Sequence, residues 1–424
     1  MNNQKSLIAR VCILGLIGFG LLSAITACST PTPTPAPTPA PKPTSAPQPV
    51  AEKTIKIGLV TWLGWPLGLE MQKGVEMMAE VTNKKGGLEI GGEKYKIQVV
   101  VYDSKSTPET GRAAVERMLD QDKVQFILGD ETAETWSALT EAKKVVAIVQ
   151  TPTPGILNPK NKYIFQGTVV NSQFQQTIGW LLSNNSNFKT VMSAHPDDQI
   201  GHISSDQIKQ LCTAFGVKYV DAAFYPRGTT DLSAIGTKVK SVNPDLFLAT
   251  AGGPGSDGGA LKAARQVGYK GQIFHPAVVP FDLIKLFVPA QDLEGFVSGA
   301  DALEMSKTSP AAKEYLDAYV AKYGTKDIPD LTGANTWYIL VAALQKAGST
   351  DPDKVAAAIG SGLKYESASG SGMMIARPDL GNERTVDTIV ALSLKKVENG
   401  KVSPLATMTL DQAYQLLKKA YGWK

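Results

Sequence analysis

From Thr54 onward, short apolar runs alternate with amphipathic stretches of helical period. Few folds accept that rhythm. Ile55–Val60, Ile97–Tyr102, Val124–Leu128 and Val145–Val149 read as strands. Between the first two, Gly74–Asn83 places Val75, Met78, Ala79 and Thr82 on one helical face. Thr107-Pro108-Glu109 carries a cap and a first-turn proline for the next helix. Such a βαβ series predicts a parallel sheet covered on both faces. A second series repeats it: strands Thr190–Ala194, Tyr219–Phe224, Leu246–Ala251 and Gln272–Phe274, with helices over Ser204–Phe215, Leu232–Lys240 and Ala260–Val267. The expected fold is therefore α/β, with two Rossmann-like, doubly wound parallel-sheet lobes. After Ser298 the pattern is helical (Pro310–Tyr323, Thr332–Ala347, Pro352–Ile359). It ends in an antiparallel pair, Ile389–Lys395 and the stretch near Pro404, turned by Glu398-Asn399-Gly400.

Charge narrows the partners. The 424 residues hold 43 basic and 39 acidic side chains, a net charge of +4. Lys5, Arg10 and Lys42 against Glu52 place +2 of it in residues 1–52, so by subtraction the body carries +2. A near-neutral body argues against nucleic acid, which needs a concentrated basic face. Cys12, Cys28 and Cys212 cannot form a disulfide framework, and three histidines leave little metal or acid–base chemistry.

The N-terminus reads as an address. Lys5 and Arg10 precede the apolar run Val11–Ala24, 14 residues long. That is short of the ~20 residues needed to span hydrocarbon, so the segment is expected to be a cleaved signal (1–27). Ile25-Thr26-Ala27-Cys28 resembles a bacterial lipobox, in which the Cys28 thiol takes the lipid and becomes the new N-terminus. Residues 28–52 form a tether: nine of the 22 residues from Ser29 to Val50 are proline. In polyproline II, at ~3.1 Å per residue, it reaches roughly 70 Å. A lipid and a semi-rigid spacer predict an extracytoplasmic protein held at a membrane surface.

Parallel sheets bind ligands beyond the carboxyl ends of their strands. Those loops supply the candidate site. Trp62 and Trp65 lie in a glycine-rich stretch after the first strand and offer flat apolar walls with indole donors, or else plug their own lobe. Glu131, Thr132 and Ala133 follow Gly129 at a helix start, where backbone N–H groups meet an anion; plain capping by Thr132 is compatible with this. Thr151 and Thr153 flank proline after the fourth strand. In the second lobe His195 and Gln199 follow the first strand, and Gly253 sits in Gly252–Gly259. His195, Asp197, Asp198 and His202 match no zinc spacing. Gly253-Pro254-Gly255-Ser256-Asp257-Gly258 fits G-x-G-x-x-G, but no acid ends the next strand, Ile273-Phe274-His275, to hold a ribose. No cofactor is expected, and no hydrolase or phosphate-loop motif is present.

Taken in order, several short motifs resemble the leucine/isoleucine/valine-binding protein family, the type I periplasmic binding proteins of branched-chain amino-acid ABC transporters. They are Asn83-Lys84-Lys85-Gly86-Gly87, Val101-Tyr102-Asp103, Phe165-Gln166-Gly167-Thr168, Gly228-Thr229-Thr230-Asp231-Leu232, Asn243-Pro244-Asp245-Leu246, Leu261–Tyr269, Glu294-Gly295-Phe296 and Leu344-Gln345-Lys346-Ala347-Gly348. The resemblance spans Thr54 to about Leu405. It implies two lobes joined by three strands that close on a ligand, without covalent catalysis. The lobes would be 53–167 with 298–370, and 168–297 with 371–424. It implies a monomer that passes a small molecule to an ABC permease. A surface receptor that senses without import is the rival reading, and an exported nucleotide-dependent enzyme is the third.

The resemblance also marks departures. Where amino-acid binders carry an acid for the α-ammonium, this chain has His275-Pro276-Ala277, so His275 and Ala277 join the site list. Ile200 stands where the family has tyrosine, and Pro154-Gly155 fall near its carboxylate-gripping Ala-Thr pair. An ammonium brought into a closed cleft without counter-charge costs several kcal/mol. The expected ligand is therefore flatter than a branched-chain amino acid or lacks a charged amine, such as an aromatic acid or amide, unless Glu131 or Asp257 reaches in.

Overall fold

A computed structural model describes residues 53–423, apart from 152, 169–171, 280, 300–305, 308, 327 and 329–330. Cys28, the signal and the tether lie outside the described residues. Among the described residues, no helix is long and apolar enough to cross a membrane.

The first sheet is built around β1 (Lys53–Thr61), in which Ile55, Ile57, Leu59 and Val60 are all buried. Burial on both faces explains why this strand reads as a continuous apolar run rather than an alternating one. Its partners are β2 (Leu88–Ile90), β3 (Glu93–Asp103), β4 (Phe126–Gly129), β5 (Val146–Val149) and β6 (Ile164–Gln166), in the order β2-β3-β1-β4-β5-β6. Only β2 runs antiparallel. Helices α1 (Pro66–Lys84), α2 (Pro108–Arg117) and α3 (Ala133–Lys143) connect them. Thr107 caps α2 by accepting from Thr110 N–H. Helices Pro310–Tyr323, Thr332–Ala347 and Pro352–Gly360 return to this core.

The second sheet holds β7 (Thr190–Pro196), β8 (Lys218–Tyr225), β9 (Leu246–Ala249), β10 (Gln272–Val278) and β11 (Val297–Gly299), all parallel. Its helices are α4 (Gln173–Asn184), α5 (Gln199–Ala214), α6 (Ser233–Val242), α7 (Pro254–Gln266) and the short α8 (Phe281–Ile284). A third, antiparallel sheet has β12 (Lys364–Ser367), β13 (Gly370–Arg377) and β14 (Asn382–Val390). Its buried side chains divide: Met374, Val386 and Val390 join the first core, while Ile375 and Ile389 pack on the C-terminal helix Leu410–Tyr421. The hairpin β15 (Ser393–Glu398) and β16 (Lys401–Thr407) adds antiparallel strands beside β11. Its turn places Asn399 and Gly400 at φ of 52° and 69°, the pair of left-handed residues that a tight hairpin requires.

In their parallel strands both sheets have one order: β3-β1-β4-β5-β6 and β8-β7-β9-β10-β11. Each is the second-first-third-fourth-fifth arrangement of a doubly wound fold.

Several boundaries differ from the sequence expectation. Helices α1, α5 and α7 begin at Pro66, Gln199 and Pro254, well before Gly74, Ser204 and Ala260. Their first turns are rich in glycine and polar residues, which hides the apolar period. Strand β10 continues to Val278, so His275 and Ala277 belong to a strand. The β12–β14 sheet replaces part of the expected helical tail, and the hairpin's first strand is Ser393–Glu398 because Ile389 belongs to β14.

Candidate functional site

In a doubly wound sheet the crevice opens where consecutive connections leave to opposite sides. In the first sheet that point lies between β1 and β4, where Val60 pairs with Gly129. In the second it lies between β7 and β9, where Ala194 pairs with Ala249. The residues just beyond those pairs are the loops with Trp62 and Trp65, Asp130–Thr132, Asp197–Gln199 and Thr250–Gly253.

On the first lobe, Trp65 is the extended residue before the proline that starts α1, and it is 40% exposed. It stacks on the half-buried Trp62 with centroids 5.9 Å apart and planes 28° apart. The loop is fastened by Leu63 N–H donating to Asp103 Oδ1 (3.0 Å) and Ser104 N–H donating to the Thr61 carbonyl (3.0 Å). Ser104 is fully buried and donates to Asp130 Oδ2. Asp130 Oδ1 accepts from the Thr132 hydroxyl (2.7 Å) and N–H (3.0 Å), and buried Trp136 Nε1 donates to Thr132 Oγ1 (3.1 Å). Thr132 is thus engaged on both sides inside the lobe, and Ala133 is fully buried. Glu131 is half-buried and accepts from Ser106 Oγ at 2.6 Å. Thr151 is buried: its backbone exchanges hydrogen bonds with the Gln166 amide, and its hydroxyl accepts from Thr153 N–H. Thr153 itself is exposed.

On the second lobe, His195 is fully buried near the end of β7. Its Nε2 lies 2.6 Å from Ser193 Oγ, which continues to the Tyr219 and Ser205 hydroxyls. Its Nδ1 is buried and makes no well-formed hydrogen bond among the described residues. Gln199 is exposed at the start of α5. Asp198 caps that helix through Gly201 N–H (3.0 Å) and pairs with Arg227 Nε (2.5 Å). The Arg227 pairing holds the Asp198 carboxyl below its usual range. Gly253, at φ 84°, precedes α7.

The G-x-G-x-x-G glycines have a packing explanation. A Cβ on Gly255 would touch Phe287, and one on Gly258 would press on Ile284, Phe287 and Val288. They let the α8 segment lie against α7. Asp257, inside the same motif, is 1% exposed. It accepts from Gly252 N–H (3.0 Å), the Tyr225 hydroxyl (3.4 Å) and His275 Nε2 (3.2 Å). His275 Nδ1 lies 3.3 Å from the Ala277 nitrogen and 3.4 Å from its carbonyl oxygen.

Ser104, Ser106, Asp130 and Arg227 were not expected at the site. The usable signal for the first three was their position directly after β3 and β4. Backbone conformation gives another. Of the seven non-glycine residues at positive φ among those described, Lys123, Lys144 and Asn243 end helices and Asn399 turns the hairpin. The other three, Lys105, Ser106 and Ala251, all lie at the carboxyl edges, and such strain concentrates at functional loops. Among the described residues no group of three or more His, Cys, Asp or Glu is placed to hold a metal. A shallow groove of about 630 Å³ lies elsewhere, between α5 and the C-terminal helix (Asp206, Lys209, Lys419, Tyr421). It touches none of the site loops.

Two buried groups predict a pH dependence. Burial, reinforced by Glu131, pushes the Asp130 carboxyl up to about 6; burial pulls His195 down to about 4. Asp130 therefore contributes stability that is full near pH 4 and is lost as pH rises through 6. His195 contributes stability that is full above 6.5 and is lost as pH falls through 4. Between them the two opposing slopes nearly cancel. His195→Gln removes one, and its stability is expected to fall by roughly 2–3 kcal/mol relative to wild type between about pH 4 and 6.5. Denaturant titrations across that range check this; parallel profiles for variant and wild type would refute it.

Fold and strand order define a two-lobed, doubly wound α/β protein. A family model described as "Periplasmic binding protein" matches residues 54–389, and the chain belongs to that family. It is 25% identical over 318 residues to the leucine-, isoleucine-, valine-, threonine- and alanine-binding protein of Pseudomonas aeruginosa, covering 73% of this chain and 83% of that one. It is likewise 25% identical to a Leu/Ile/Val-binding protein homolog of Brucella melitensis over 75% and 86% of the two chains. Among solved structures, it resembles the LivJ substrate-binding protein of Streptococcus pneumoniae in complex with isoleucine (22% identity, TM-score 0.65, 84% and 99% covered). It also resembles a solute-binding protein of Rhodopseudomonas palustris in complex with 3,4-dihydroxybenzoic acid (23%, 0.65, 84% and 98%). At these identities the structures establish the fold.

Proposed function

We propose that the chain is a substrate-binding lipoprotein that captures a small molecule between its lobes and delivers it to an ABC permease. The observation that carries this is the matched pair of switch points. Two sheets of one strand order each end in loops with exposed groups, and the chain passes between the sheets after β6, β11 and β14. Three passages permit a hinge, and closing the two switch-point edges on each other would bury a ligand between them. In this reading Trp62, Trp65, Glu131 and Thr153 meet the ligand from the first lobe, and Gln199, Gly253 and Ala277 from the second. Thr132, Ala133, Thr151, His195 and His275 shape and brace those loops from behind. The ligand class is an amino acid or a related carboxylate or amide, aromatic ones included. Cys28 carries the lipid, and the proline tether lets the protein reach its permease.

Calorimetry with leucine, isoleucine, valine, aromatic acids and amides, followed by small-angle scattering, tests the reading. A ligand that binds is expected to shrink the radius of gyration, because both lobes must cover it. An unchanged radius at saturation would reject closure. Cys28→Ala is expected to move the protein out of the detergent phase, and unchanged partitioning would reject the anchor.

A further inference from the structure

We propose that Glu131, on the first lobe, is the counter-charge for a positively charged nitrogen of the ligand, which lies against the Trp62–Trp65 indole face. This rests on the cleft reading above and names the ligand's charge.

The acids at the two edges differ in what they have left to give. Asp103 accepts the N–H groups of Leu63 and Lys105. Asp130 is buried and takes Ser104 and both Thr132 donors. Asp197 is engaged by His202 Nε2 at 2.9 Å on the second lobe, and Asp198 caps α5 and pairs with Arg227, which also donates to the Ala251 carbonyl. Asp257, the other candidate counter-charge, is buried under three donors. Glu131 is half-buried and takes one hydroxyl, Ser106 Oγ. A carboxylate offers about four acceptor positions, so Glu131 keeps most of its capacity for a ligand.

The turn that presents Ser106 is strained. Lys105 and Ser106 are consecutive non-glycine residues at φ of 50° and 53°. Thr107 N–H closes the turn on the Ser104 carbonyl, and Ser104 is pinned to Asp130. Such a conformation persists only where its surroundings impose it, and here it aims a hydroxyl at Glu131. Since Val60 pairs with Gly129, Trp62 and Glu131 each stand two residues past the same rung, at neighbouring strand ends. An indole face attracts a cation most strongly of the aromatic rings. An anion at this position would meet Glu131 and the negative ring faces, with exposed Lys105 as the basic side chain of that turn.

The test uses the full chain and matched probes: benzylamine against benzyl alcohol, choline against 3,3-dimethylbutan-1-ol, and the anions benzoate and 3,4-dihydroxybenzoate. The cationic member of at least one pair is expected to bind at least about 30-fold more tightly than its uncharged isostere. Glu131→Gln, which keeps the Ser106 bond, is expected to erase that preference, and Ser106→Ala to reduce it several-fold. A preference that survives Glu131→Gln overturns the assignment. Tight binding of either anion, with compaction, overturns it while leaving the solute-binding function standing. Failure of every probe and every amino acid to bind counts against both.

Discussion

Gly201→Ala is expected to destabilise the protein by roughly 2–3 kcal/mol and to weaken ligand binding at least tenfold, and Gly68→Ala to do the same. In an ordinary helix either change would stabilise by up to about 1 kcal/mol. Here the space is missing. A Cβ on Gly201 would stand 1.9 Å from the Pro196 carbonyl oxygen, and one on Gly68 2.0 Å from that of Trp62. In both cases the obstacle is backbone, so no side chain can swing aside. Gly68 and Gly201 are each the third residue of the helix that follows the first strand of their lobe. The carbonyls they face belong to the switch-point connections themselves. Alanine must push the helix start off the loop by more than 1 Å, and overpacking of that kind costs about 1–3 kcal/mol or more. The displaced parts are the Trp62–Trp65 wall and the Asp198 cap, so the loss should appear in affinity as well. Gly360→Ala, where the nearest atom is 3.8 Å away, serves as the control and should be neutral or stabilising. If Gly68→Ala and Gly201→Ala behave like the control, the loops yield freely and do not hold a fixed site.

Those glycines also show where the sequence was opaque. Strands β1, β4, β5, β7 and β9 could be read because each is buried on both faces and therefore continuously apolar. The helix starts could not, because Gly68, Gly201 and the glycines of α7 are selected by close approach to another segment, and that contact lies in three dimensions. The G-x-G-x-x-G spacing has the same kind of origin: Gly255 and Gly258 leave room for Phe287 and Ile284. Asp257 illustrates a second limit. From sequence it was a free acid able to enter the cleft, whereas the structure ties it to Tyr225, Gly252 and His275. Its partners lie up to 32 residues from it along the chain, so only the strand order reveals them. The loops after each strand were legible as a class, since a parallel sheet puts them on one edge. Which side chains remain available there depends on hydrogen bonds that no local pattern encodes. The third sheet was missed because β13 and β14 mix glycine, methionine and threonine and carry little alternation.

Arg377→Met is expected to lose about 3–5 kcal/mol of stability at neutral pH, with a deficit that shrinks in acid. Arg377 is almost fully buried. It bonds Asp387 through Nη1 (2.6 Å) and Asp379 through Nε (2.9 Å) and Nη2 (2.7 Å), and its guanidinium lies 5.1 Å from the Tyr421 ring centre. Burial works against charge on both partners. For Arg377 the two carboxylates outweigh it and the guanidinium is held charged, whereas for Asp387 burial prevails over Arg377 and raises its pKa. Arginine does not deprotonate in proteins, so Arg377 stays charged between Asp387 and Asp379. Removing the arginine leaves Asp387 buried without a counter-charge, the arrangement for which such losses are measured. A proton can then neutralise it, so the variant should regain part of the loss as pH falls, while an uncharged packing defect would show no such recovery. Arg377→Met with Asp387→Leu removes both charges and should recover most of the stability, since apolar replacement of a buried pair is often neutral. The node also bears on the proposed closure. Tyr421 accepts from Gln175 of α4, so Arg377 connects the third sheet and the C-terminal helix to the first helix after the β6 passage. If the cluster sets the rest position of the lobes, the double variant will fold normally yet change the ligand-induced shrinkage in scattering. If its role is confined to packing, stability will return and the shrinkage will match wild type.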